Sequence, residues 1–185
     1  PYKCLFPQLS SQLENYSQVF NAVEINSSFY KEHRKNTYVK WKESVPEEFR
    51  FSLKLLNHFT HERGLELNQA DKLYLAKIIE GMSGLEEKFE TLLIQLPPKL
   101  KFEAKKVESF FKEIKKYYLG SLLLEPRHLS WTEPASLELL KNYHVNKVFA
   151  DPAPVPLAKE NYSYLETAYF RLHGSPVIYQ SEYPE

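Results

Sequence analysis

SLLLEPRH, residues 121–128, is the stretch from which the fold is read. Its near-continuous apolar run, Leu122 to Leu124, suits a strand covered on both faces, as in a parallel sheet. Residues two apart in a strand share a face, so Glu125 and Arg127 point together, opposite Leu122 and Leu124. The strand therefore offers an apolar set to covering layers and a charged tip at its carboxyl end.

The same design recurs along the chain. FNAVEINSS (20–28), FRFSLKL (49–55), TLLIQL (91–96), VNKVFAD (145–151) and TAYFRLH (167–173) are further strand candidates. They end on Glu24 and Asn26, Lys54, Gln95, Asp151, and Arg171 with His173. Parity sets Glu24 and Asn26 opposite Val23 and Ile25, and Arg171 and His173 opposite Phe170 and Leu172. Helical stretches lie between. Val107, Phe110, Phe111 and Ile114 fall at i, i+3, i+4 and i+7, as do Leu75, Ile78, Ile79 and Met82. Gly81 and Gly84 are expected to end the second of these helices. Another begins near Pro134, with Ser130 or Thr132 as its cap, and runs through Leu137, Leu139 and Leu140. Shorter helices are expected over 11–18 and 37–43. Alternating strands and helices imply right-handed parallel crossovers, hence an α/β doubly wound sheet or a barrel. Polar strand tips converging from all sides favour the barrel.

Composition narrows the function. The 185 residues suit one domain, and 24 Lys+Arg against 24 Asp+Glu remove the global basic signal of many nucleic-acid binders. Lys105, Lys106, Lys112, Lys115 and Lys116 lie off their helix's apolar stripe. With the Glu108–Lys112 pair at i, i+4, they read as a solvated face. The single cysteine, Cys4, excludes a disulfide framework or a Cys-rich zinc site and predicts a reducing, cytoplasmic setting. No apolar run approaches the roughly 18–20 residues of a membrane span. With five glycines and no GxGxxG or GxxxxGK[ST] string, the nucleotide-binding fingerprints are absent.

Taken in order, VEINSSFY (23–30), VPEEFRFSLK (45–54), Thr60-His61, LLIQLPP (92–98), LEPRHLSW (124–131), ADPAPVP (150–156) and YFRLHGSP (169–176) resemble the domain-of-unknown-function 72 family, the YecE-like proteins. The resemblance covers nearly the whole chain. It implies a TIM-type (β/α) barrel with a polar pocket at the strand carboxyl ends, and no established reaction. Family members open with a Gly-containing strand where this chain has Leu5-Phe6-Pro7, and they continue past RLHG through another helix and strand. Residues 1–185 are thus expected to be strands two to seven of one barrel domain, incomplete at both ends.

The strand tips define a candidate site. Glu24, Glu125 and Asp151 balance Lys54, Arg127 and Arg171, so the set is expected to be neutral. Glu24, Lys54, Glu125, His128, Asp151 and His173 are the catalytic candidates; Asn26, His61, Gln95, Arg127, Trp131 and Arg171 are the substrate-binding ones. Arg127 and Arg171 would grip a carboxylate or phosphate. A glutamate would act as general base with His128 or His173 as proton partner. Lys54 would pair with Glu24 or Glu125, or serve as a Schiff-base amine. Trp131 is expected to line the pocket. His33, His58 and His144 read as surface or loop residues. Three cations oppose a bound dication, so neither metal nor other cofactor is expected. The expected partner is a small anionic or sugar-like molecule, with no membrane; the alternative is a phosphate-ester or nucleic-acid binder, an endonuclease-like barrel with or without a metal.

Overall fold

The computed structural model describes residues 11–153, 168–174, 177, 180, 181 and 183. Cys4, residues 5–7, Pro154, Pro156 and Thr167 lie outside the described residues.

The described chain is an α/β structure. Strands β1 (Ala22–Ile25), β2 (Arg50–Lys54), β3 (Phe89–Gln95), β4 (Ser121–Glu125) and β5 (Val145–Lys147) form one parallel sheet in sequence order. A second parallel pair joins β6 (Phe149–Asp151) to β7 (Phe170–Leu172). One segment supplies β5 and β6. The Val148 N–H donates to the Leu124 carbonyl at 2.9 Å, and the Phe149 N–H to the Tyr169 carbonyl at 2.8 Å. Pairing thus passes from β4 to β7 within two residues, where a continuous strand was expected over 145–151. Among the described residues no ladder joins β1 to β7, so no closed barrel is formed. Their side chains nevertheless meet, because Arg171 of β7 reaches Glu24 of β1 at 2.9 Å.

The helices are α1 (Gln12–Ser17), α2 (Ser27–Tyr30), α3 (Lys35–Glu43), α4 (Gln69–Met82), α5 (Ala104–Ile114) and α6 (Pro134–Asn142). The apolar stripes of α4 and α5 are buried as their spacing requires. Two expectations about helix ends are corrected. Neither Gly81 nor Gly84 ends α4, which runs through Met82 into a 3-10 segment, Ser83–Lys88. A Cβ on Gly84 would come within 2.7 Å of the Lys35 carbonyl, so this glycine permits close packing against α3. The cap of α6 is Glu133, without a side-chain cap bond, because Ser130 is engaged by the Phe102 N–H instead.

The sheet has two unlike faces. Phe51, Leu53, Leu55, Leu92, Ile94, Leu122, Leu124 and Val145 belong to the main core, together with residues of α4, α5 and α6. The opposite face carries a small apolar layer, Leu93, Leu123 and Val148, with Tyr169 packed on it. Above that layer, towards the strand carboxyl ends, the side chains turn polar. On β7 the outward pair Phe170 and Leu172 is exposed, 66% and 67%, rather than covered by helices as parity alone suggested.

Candidate functional site at the strand carboxyl ends

Strand parity delivers Glu24, Lys54, Gln95, Glu125 and Arg171 to the inner face. There they form a connected ionic network. Arg171 grips Glu24 in a fork, Nε to Oε2 at 3.0 Å and Nη2 to Oε1 at 2.9 Å, and its Nη1 donates to Glu125 Oε2. Arg127 folds back from just beyond β4 to Glu125 Oε1, at 3.3 Å from Nε and 3.0 Å from Nη2. Gln95 donates weakly to the same oxygen at 3.5 Å, and His173 Nε2 stands 3.9 Å from it. Tyr169 completes the ring by donating to Glu24 Oε2 at 2.8 Å. Glu125 is almost fully enclosed, its side chain 2% exposed; two guanidiniums offset the cost of stripping that carboxylate of water.

Lys54 departs from expectation. It is 4% exposed, yet among the described residues no carboxylate lies within 4.0 Å of its ammonium. The expected salt bridge to Glu24 or Glu125 is therefore absent, because Arg171 and Arg127 already occupy those carboxylates. The ammonium sits instead over the Phe29 ring, 4.4 Å from its centroid. Phe29 is placed there by α2, whose Ser28 hydroxyl accepts from the Lys54 N–H at 3.1 Å and donates to the Lys54 carbonyl at 2.9 Å. Burial pushes the Lys54 ammonium below its ordinary value, and the charges of Arg171 and Arg127 push the same way against Glu24 and Glu125.

His61 packs on the same Phe29 ring, edge-on at 5.1 Å between centroids, with Nδ1 2.8 Å from the Thr60 hydroxyl. It lies in a π-helical turn, His58–Glu62, just after β2, a geometry that often marks functional positions. Partial burial of its ring, then Arg127 and Lys54, lowers its pKa. His173 is lowered likewise, by burial first and then by Arg171. Both shifts favour the neutral imidazole.

Four expected site residues stand apart from this network. Asn26 lies beyond β1, exposed, where the chain turns into α2. Asp151 is exposed and its carboxylate makes no hydrogen bond or ion pair among the described residues; its carbonyl is engaged by the His173 N–H and the Tyr183 hydroxyl. His128 spends Nδ1 capping the 3-10 turn Leu129–Thr132, accepting from the Ser130 N–H at 3.1 Å. Trp131 is fully buried in the helix-side core, donating to the Leu100 carbonyl at 2.9 Å against Phe102, so it lines no pocket there. Without Asp151 the expected neutrality fails. Two carboxylates face three cationic groups, and Lys54 is the excess.

Sequence reading missed Phe29 and Tyr169. Tyr169 was legible, lying two residues before Arg171 on one face; Phe29 sits in a helical turn with no periodic signal. Two histidines read as surface or loop residues make specific side-chain contacts. His58 bridges Glu62 at 2.8 Å and Asp71 at 3.0 Å, and Arg63 meets the same Asp71 oxygen at 3.0 Å. His33 is half-buried among Tyr38 and Trp41, with Nε2 2.9 Å from the Ser27 hydroxyl. His144 is exposed, as read.

Two further observations bear on alternatives. Three of the lysines in and just after α5 are tied to glutamates, Lys112 to Glu108 at 2.7 Å, Lys106 to Glu66 and Glu103 at 3.0 and 2.8 Å, and Lys116 to Glu113 at 2.7 Å, so much of that face is internally neutralised. A cavity of about 490 Å³, walled by Val19, Phe20, Pro46 and Phe49, lies at the opposite end of the strands with Glu48 as its one charged side chain. Among the described residues no group of three His, Cys, Asp or Glu side chains is placed to hold a metal ion, and no helix is long and apolar enough to cross a membrane.

The sequence profile of the family described as "Protein of unknown function DUF72" matches residues 2–185. The chain belongs to the DUF72 family. It is 30% identical over 139 residues to the UPF0759 protein YunF of Bacillus subtilis (strain 168), covering 71% of this chain and 49% of YunF. The chain thus spans about half the length of that curated relative. Among solved structures it resembles a DUF72 protein of Enterococcus faecalis V583, with a TM-score of 0.72 and 21% identity over 89% of this chain and 64% of that one. A DUF72 protein of Thermotoga maritima MSB8 gives a TM-score of 0.68 and 25% identity over 92% and 68%.

Proposed function

We propose that this DUF72 chain forms part of a TIM-type (β/α) barrel whose strand carboxyl ends bind a small anionic or sugar-like molecule and act on it without a resident metal. The reading is carried by one observation, the excess cation. Glu24 and Glu125 are satisfied by Arg171 and Arg127, while Lys54 is buried with no carboxylate within 4.0 Å of its ammonium among the described residues. A buried charge lacking a partner is costly, so the site is completed by an anion brought from solution. Arg171 is consumed as an internal strut. Arg127 keeps Nη1 without a hydrogen bond among the described residues, and with its side chain 26% exposed it is the guanidinium open to a ligand. The barrel reading draws on the in-order parallel strands, the hand-over from β4 to β7, and the Glu24–Arg171 contact that brings the two ends together.

Titration with inorganic phosphate, followed by amide NMR and calorimetry, tests this. Binding should perturb residues around Lys54, His61 and Arg127, and Arg127→Gln should weaken it about tenfold, the loss of one charge-assisted contact. Perturbations spread over the α5 lysines, insensitive to Arg127→Gln and falling steeply with salt, would instead favour a polyanion-binding surface.

A further inference from the structure

We infer that Lys54 is a carbonyl-reactive amine, and that the natural ligand is a small aldehyde or ketone carrying a carboxylate or phosphate. This deepens the anion-site reading and rests on it. The two cationic groups that the network leaves open differ in kind. Arg127 is permanently charged and, with Nε and Nη2 held by Glu125, has Nη1 left for an oxyanion. Lys54 is a single primary amine, 4% exposed, lying against an aromatic face with no carboxylate within 4.0 Å to hold its proton. A nucleophilic lysine needs desolvation and neighbouring cations, and Lys54 has both: burial and the Arg171 and Arg127 charges favour its neutral form. Its backbone is pinned on both sides by the Ser28 hydroxyl, which fixes the root of the side chain. His61, packed on the same Phe29 ring and shifted towards its neutral form, is a proton carrier beside it.

The chemistry balances without any further reagent. The Lys54 nitrogen lone pair adds to the carbonyl carbon, a C–N bond forms, and the oxygen takes the proton that nitrogen releases. The neutral His61 ring accepts the second nitrogen proton and, as the imidazolium so formed, passes it to that hydroxyl, which leaves as water. That transfer leaves the C=N bond and one water. Arg127 meanwhile holds the anionic group, so the ligand is gripped at one end and condensed at the other.

Glyoxylate, the smallest anionic aldehyde, with sodium cyanoborohydride and peptide mapping, tests the inference. Lys54 should be alkylated about tenfold faster than exposed Lys112, because burial favours the neutral amine at Lys54 while the hydrogen bond to Glu108 holds the proton on Lys112. Lys54→Met, checked for folding by circular dichroism, should lose that adduct. Arg127→Gln should slow labelling by glyoxylate more than by neutral acetaldehyde, which loses only the Arg127 contribution to the lowered Lys54 pKa. Calorimetric phosphate binding with no preference for Lys54 over Lys112 overturns the nucleophile and leaves the anion site standing. Fast labelling of Lys54 that phosphate fails to slow keeps the reactive amine and removes the anion reading. Equal labelling of all lysines together with no phosphate binding overturns both.

Discussion

The two faces of β2, β3 and β4 are made of alternate residues in the same short strands, and they are held by different forces. On the helix side Leu53, Leu92, Ile94, Leu122 and Leu124 are fully buried against α4 and α5, and water exclusion does the holding. On the inner side Leu93 and Leu123 support a tier in which Glu125 is wedged between Arg127 and Arg171. The helix-side face tolerates reshuffling of apolar volume. The inner face does not, because removing one ion strands its partner in a water-poor site. The difference separates what makes the chain fold from what leaves a charge available for a ligand.

The largest effect expected on either face comes from breaking the shared strut. Arg171→Met leaves Glu24 and Glu125 without their common cation and should destabilise by about 3–5 kcal/mol in urea unfolding. A loss under about 1 kcal/mol would mean that solvent already reaches these carboxylates. Next comes the opposite face. Leu124→Ala opens a cavity in the main core and should cost about 3 kcal/mol while leaving phosphate affinity unchanged in the folded protein. Altered affinity would show that the two faces are coupled.

The smallest effect concerns an ionic cluster away from both faces, and it sharpens the contrast with the inner network. Burial alone would lower the His58 pKa, but its hydrogen bonds to Asp71 and Glu62 outweigh this and raise it. A raised histidine value contributes stability that is fully present below the unfolded pKa, about 6.5, and is lost as pH rises through the folded value. The stability difference between the native protein and His58→Gln should therefore shrink as pH rises from about 5 to about 8.5. A constant difference would mean that the contact does not depend on the imidazolium.

Much of this was legible in the chain. Alternation within 121–127 placed Leu122 and Leu124 in the core and Glu125 on the inner face, and the stripes on α4 and α5 were read from spacing alone. Parity failed where strands stop early. Asn26 was assigned the face of Glu24, but β1 ends at Ile25 and the chain turns into α2. Trp131 was misread because a sequence position beside EPRH says nothing about which layer a following 3-10 turn enters. The pairing pattern was beyond reach for a different reason. Arg171 has five N–H donors on three nitrogens and two carboxylates to choose from, and only the fold shows that it takes both and leaves Lys54 over Phe29. His58 and Asp71 come together only when the π-helical turn meets the first turn of α4.

The unmatched cation is the centre of the account, and its proton is directly observable. Lysine ¹³Cε NMR, titrated with pH in the absence and presence of inorganic phosphate, reports the Lys54 ammonium separately from the surface lysines. Lys54 should titrate below its ordinary value of 10.5 and move upward when phosphate binds, as a buried charge gains its missing partner. Lys54 titrating with the exposed lysines, unmoved by phosphate, would contradict the claim that this site holds an uncompensated positive charge.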